Sequence, residues 1–189
     1  MDSKVNIWVY IGVIGSGKNY NAMCKQKETG GVIESFSDGV REFTFGFLNW
    51  RPLTGKMYEK FKRHIFEIKY PNEIKKHDGR KFIENVGFTI RRYDKDFWAK
   101  YCQSKCVKHI ENGIKDIIIY DCRYLNEAKF IFELHNNYNI PVNFFFTNYK
   151  SERYEIRSDE SEEFAQYFLE LNCKDGENIT KKIKKLLNE

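Results

Sequence analysis

A chain of 189 residues with 41% hydrophobic and 31% charged side chains has the balance of a soluble globular domain and is long enough to bury one core. Its net charge of +5 suits a polyanionic ligand such as a nucleotide but is too small to demand nucleic acid. No apolar run approaches the ~18 residues of a membrane span, and the opening MDSKVNIW lacks the regions of a secretion signal, so a cytosolic chain is expected.

Residues 5–11 read as a first buried strand. Directly after it, Gly12 to Lys18 spell G-x-x-x-x-G-K. Glycines there let consecutive backbone N–H groups turn inward on phosphates, the following helix offers its positive end, and a lysine bridges the β- and γ-phosphates. Gly12, Gly15, Ser16, Gly17 and Lys18 therefore form a candidate phosphate loop, and Asn19 and Tyr20 open the helix expected over 19–27. A weaker strand, GVIESF, covers 31–36. Residues 49–81 are polar, break at Pro52, Gly55, Pro71 and Gly79, and are expected as loops and short helices outside the sheet.

A helix over 94–111 puts Cys102, Cys106 and His109 on one face. Three ligands on one helix make poor tetrahedral zinc geometry, so this face is expected to turn to the core, and all five cysteines are expected to be reduced thiols. The apolar run DIIIYD, residues 116–121, is a second strong strand that ends at Asp121, where a carboxylate can hold magnesium through water. Two residues on, Arg123 reaches the same sheet edge and can grip a phosphate as a fork. A helix over 126–137 and a third strand, IPVNFFFT over 140–147, follow. Arg153 and Arg157 lie four apart and project from one side of a short helix, able to close over a transferring phosphoryl group. Ile179, Ile183, Leu186 and Leu187 repeat at helical spacing beneath a solvated lysine-rich face. Strand alternating with helix predicts an open parallel α/β sheet, with ligands beyond the carboxyl ends of the strands.

In order and spacing, five segments resemble the deoxynucleoside monophosphate kinases of bacteriophages, a P-loop group to which animal phosphomevalonate kinase is similar. GSGK is similar to the family's loop and SFSDGVRE to its FADPLKE. GRKFIENVGFTIRRYDKDFW is similar to its GR-x-x-LQ-x-x-G…R…W region, DCRYLNEA to its D-x-R-x-x-NE, and SDESEE to its H-x-SE. The resemblance covers most of the chain. It implies a single P-loop kinase domain over 1–189, with a mostly parallel five-stranded sheet flanked by helices, an acceptor-binding helical insertion at about 37–98 and a lid at about 148–160.

The activity it implies is transfer of the γ-phosphate of ATP to a (deoxy)nucleoside monophosphate, with ATP and Mg2+ as cofactors. Lys18 and the loop would hold ATP, Asp121 would organise magnesium, and Arg123 would touch the acceptor phosphate. Asp38, Arg80, Arg91 or Arg92, and Trp98 fall where the family handles the acceptor, and Arg153 and Arg157 would be lid arginines. The expected partner is a small nucleotide; a homodimer is allowed, and neither nucleic acid nor a membrane is called for. Asn19 and Tyr20 stand where these kinases carry Thr or Ser, so magnesium is expected mostly on Asp121, water and ATP oxygens. Two other readings remain open. One is a kinase of a nucleic-acid hydroxyl, with Trp50, Phe61, Phe66 and Phe82 stacking bases; the other is a nucleotide-binding regulatory protein with weakened catalysis.

Overall fold

The computed structural model describes residues 5–47, 60–151, 154 and 160–188. In chain order the elements are β1 (Asn6–Ile11), α1 (Lys18–Thr29), β2 (Val32–Glu34), α2 (Phe36–Phe47), β3 (Ile65–Tyr70), β4 (Glu73–Asp78), α3 (Gly79–Tyr93), α4 (Phe97–Glu111), β5 (Asp116–Ile119), α5 (Leu125–Tyr138), β6 (Val142–Phe146), α6 (Glu160–Glu170) and α7 (Thr180–Asn188). They divide into two compact units. One holds the residues up to Phe36 and those from Ala99 on; the other is Ser37–Trp98.

The first unit is built on a parallel sheet in the order β2-β5-β1-β6. Register places Ile7 between Ile117 and Val142, and Val9 between Ile119 and Phe144. Ile7, Val9, Ile11, Ile117, Ile119, Phe144 and Phe146 are buried in one cluster with Cys102 and Cys106 of α4, Ile131 and Leu134 of α5, Phe168 of α6 and Ile183 of α7. The intervening side chains, Trp8, Tyr10, Ile118 and Phe145, form a second cluster with Ala22 of α1. Both faces are thus apolar, which is why these strands read as unbroken hydrophobic runs rather than alternating ones.

Among the described residues this sheet has four strands, not the five expected. At the β6 edge the chain returns only as an antiparallel bridge between Phe145 and Asn178. Phe146 N–H donates to the Glu177 carbonyl and Ile179 N–H to that of Phe144, both at 2.9 Å. A turn closed by Glu177 N–H on the Lys174 carbonyl precedes this stretch, and the Asn178 side chain accepts from both the N–H and hydroxyl of Thr180 to start α7. The extended segment between turn and helix is too short for a strand.

Of the stretch 49–81, expected as loops and short helices, residues 49–59 lie outside the described residues, and the second unit corrects the expectation over 65–78. Residues 65–78 form an antiparallel hairpin, β3 with β4, turning at Pro71 and Asn72. Its polarity concealed a one-sided strand: Phe66 and Ile68 share the face that packs inward, while Ile65, Glu67, Lys75 and Lys76 lie on exposed positions. Asp78 then caps α3, accepting the Lys81 N–H at 2.9 Å. Phe82, Ile83, Val86 and Ile90 recur along α3 and close a core with Val40, Phe45, Phe61, Phe66 and Trp98.

Candidate active site

The glycine-rich loop links the carboxyl end of β1 to the first turn of α1. Gly12 is there because nothing larger fits: a Cβ would collide with the carbonyl oxygen and hydroxyl of Thr147 and with the Ser16 hydroxyl. Gly17 caps α1 in the left-handed region, at φ 89°, where L side chains are strained. The next residue, Lys18, folds back over the loop. Its Nζ donates to the carbonyls of Gly12 (2.5 Å) and Val13 (2.7 Å), and the residue is only 8% exposed. Burial lowers its pKa to about 8 and the nearby Arg123 guanidinium adds to this, while Glu162 and Asp121 pull the other way. Two cations and two carboxylates from three separate segments therefore share one electrostatic neighbourhood.

The chain just after β6 stitches the loop in place. The Ser16 and Thr147 hydroxyls lie 2.9 Å apart, Ser151 Oγ donates to the Gly15 carbonyl at 2.7 Å, and Tyr149 N–H donates to that of Ser16 at 3.2 Å. Glu162, on the first turn of α6 and 1% exposed, accepts the Ile14 N–H at 3.3 Å and faces Arg123 Nη1 at 3.7 Å. Sequence reasoning missed Thr147, Ser151 and Glu162 as site residues, since each stands over a hundred positions from the loop and only the parallel crossover brings it back.

Asp121 is engaged on both oxygens, accepting the Ser35 hydroxyl at 2.5 Å and the Phe36 N–H at 2.9 Å, and so anchors the start of α2. As a carboxylate at the end of a strand it is of the type that can hold a magnesium ion through water. Arg123 extends from a segment fixed by Glu127, whose carboxylate accepts the N–H groups of Arg123 (2.7 Å) and Tyr124 (3.1 Å) at the start of α5. Asn19 and Tyr20 are both exposed; Tyr20 is 71% exposed, and the Cys24 thiol one turn on pushes its phenol pKa up. Tyr20→Phe is accordingly expected to leave stability within about 0.5 kcal/mol and magnesium dependence of any phosphate transfer unchanged. A magnesium titration of both proteins checks this; loss of activity in the variant would make the phenol a metal ligand.

In the second unit, Asp38 pairs with Arg41 at 2.8 Å and Arg80 with Glu84 at 3.0 Å. Arg91 is half-buried and Arg92 exposed, both in the last turn of α3. Trp98 is a core residue, 3% exposed, with its indole N–H donated to the Gly87 carbonyl at 3.1 Å. The aromatics considered for base stacking face one another instead: Phe61 packs on Phe66 (centroids 5.4 Å apart) and Phe66 on Phe82 (5.3 Å). A cavity of about 390 Å³ in this unit is lined by Phe43, Phe47, Ile68, Phe82 and Val86. Trp50, Arg153 and Arg157 lie outside the described residues.

On α4, Cys102 and Cys106 are wholly buried in the sheet core, and burial with a mutual hydrogen bond pushes the Cys102 thiol up. His109 instead meets Glu34 at 2.6 Å, and Lys105 meets the other oxygen of the same carboxylate at 2.7 Å. Among the described residues no cluster of three His, Cys, Asp or Glu side chains could hold a metal, and no helix is long and apolar enough to cross a membrane. Comparison with protein-family models and with curated protein sequences gave no match to this chain.

Proposed function

We propose that the chain is an ATP-dependent phosphotransferase of P-loop type that acts on a (deoxy)nucleoside monophosphate. The observation that carries this reading is the buried lysine, folded onto the Gly12 and Val13 carbonyls beside Arg123 and Asp121 at the carboxyl ends of β1 and β5. A buried cation held, among the described residues, by two backbone carbonyls is poised to exchange them for phosphate oxygens, and left-handed glycines frame the amides that would join it. Magnesium, held through water by Asp121, would neutralise charge on the β- and γ-phosphates. Phosphoryl transfer needs positioning and charge neutralisation more than a protein base, so Lys18, Arg123 and the loop amides are a sufficient set at this end of the sheet. Arg153 and Arg157 would close over the reacting group. Asp38, Arg80 and Arg91 or Arg92 would face the acceptor, with Trp98 acting through the core of their unit.

Arg123 decides the acceptor class. Arg123→Ala should raise the KM for a nucleoside monophosphate at least about tenfold and leave that for ATP nearly unchanged, because the fork is assigned to the acceptor phosphate. A nucleoside lacking its phosphate should be a very poor substrate, since the cations meant for that phosphate would then be unpaired. Steady-state kinetics with matched nucleoside and monophosphate pairs test both statements. Efficient phosphorylation of free nucleosides would overturn the acceptor assignment.

A further inference from the structure

Glu162 has no part in the function proposed above, yet it is among the most buried carboxylates of the first unit. One of its oxygens accepts the Ile14 N–H of the glycine-rich loop, the other faces the Arg123 guanidinium, and its charge bears on Lys18. A backbone amide of the loop and the same two cations are the donors that phosphate oxygens would use. The other nearby carboxylate is committed elsewhere, with Asp121 holding Ser35 and Phe36.

We infer, resting on the nucleotide-site reading, that Glu162 is an internal anion of the phosphate loop: its carboxylate accepts the Ile14 amide and lies beside Arg123 and Lys18 in the nucleotide-free chain, and it competes with the phosphates of ATP for that amide and for Lys18. The physical case is charge balance. Lys18 is buried and Arg123 lies close enough to lower its pKa, so the loop places two like charges together and needs a counter-charge. A carboxylate seated there keeps the loop folded without ligand. When a triphosphate brings several negative charges to the Ile14 amide and Lys18, the carboxylate becomes a like charge and must give up the amide, which weakens binding and speeds release. Glu162 is then an affinity-setting residue and not a catalytic one.

Removing the charge while keeping the shape gives a sign that a purely structural role would not give. Glu162→Gln, checked for folding by thermal unfolding, should bind inorganic tripolyphosphate roughly tenfold tighter than the wild type by calorimetry without magnesium. Glu162→Ala should change affinity in the same direction. Unchanged or weaker binding in the folded variants overturns the inference, and so does failure of both to fold, which would make the Arg123 pair a structural necessity. Lys18→Ala serves as the reference. If the wild type binds tripolyphosphate no better than Lys18→Ala, the nucleotide site itself fails; if it binds better but neutral Glu162 variants do not tighten, only the competing-anion role fails.

Discussion

Lys18→Ala should leave a folded protein that transfers phosphate at least about 10²–10³-fold more slowly than the wild type. The lysine supplies a fixed cation at the charge that develops on the transferring group, and a donor of this kind is worth several kcal/mol of barrier in a water-poor site. Folding should survive, because the hydrogen bonds that the ammonium makes among the described residues are to the loop's own carbonyls of Gly12 and Val13. The lowered pKa adds a pH signature. In the free chain Lys18 gives up its proton around pH 8, well below the usual lysine range, while bound phosphates would favour the charged form. ATP affinity should therefore fall as pH rises through about 8, and Lys18→Ala should lose that dependence. The stability effect has the opposite sense. Between about 8 and the ordinary lysine value of 10.5 the unfolded chain holds the proton more tightly than the folded one, so this group's contribution to stability rises with pH across that window. Kinetics and calorimetric ATP binding over that range measure the first effect, and denaturant unfolding the second.

Gly12→Ala should cost about 1–3 kcal/mol of stability and remove ATP binding together. The added methyl would point at the Thr147 carbonyl oxygen, which cannot easily retreat: Thr147 N–H is fixed on the Ile11 carbonyl at 2.7 Å and its hydroxyl on Ser16 at 2.9 Å. The clash must be relieved by moving the loop, and with it the amides that would meet phosphate. Gly46→Ala is the matched control. Gly46 lies within α2 with open space around its Cβ position and no left-handed backbone, so alanine there should be neutral or stabilising by up to about 1 kcal/mol. Denaturant unfolding of both variants checks the contrast. A Gly12→Ala protein as stable as the wild type and still binding ATP would mean that the close approach at Thr147 is not a constraint.

The four parallel strands were readable because both faces of the sheet are covered, so that IWVYI, DIII and VNFFF carry little alternation to obscure them. The loop was readable because its chemistry is local: glycines and a lysine within seven consecutive positions, Gly12 to Lys18. What failed was non-local or one-sided. The hairpin over 65–78 buries little beyond Phe66 and Ile68, and its lysines and glutamates gave it the composition of a loop. The fifth strand, expected from the resemblance without a place in the sequence, is absent among the described residues, where the sheet has four strands. Asp121 was legible as a strand-end carboxylate, but its grip on Ser35 and Phe36 was not, since it joins positions 86 and 85 apart. Glu162 was hidden for a similar reason. In sequence it is one acid in SDESEE, and only the packing of α6 sets it against Ile14 and Arg123.

Product formation tests the account most directly. The purified chain, with ATP and magnesium, should be offered each ribo- and deoxyribonucleoside monophosphate in turn, together with the free nucleosides and a 5′-hydroxyl oligonucleotide, and products separated by chromatography. The account predicts ADP together with the diphosphate of at least one mononucleotide, absent with Lys18→Ala, and no phosphorylated nucleoside or oligonucleotide. Phosphate found on the oligonucleotide, or ATP left intact beside every monophosphate in a protein that binds ATP, would contradict it.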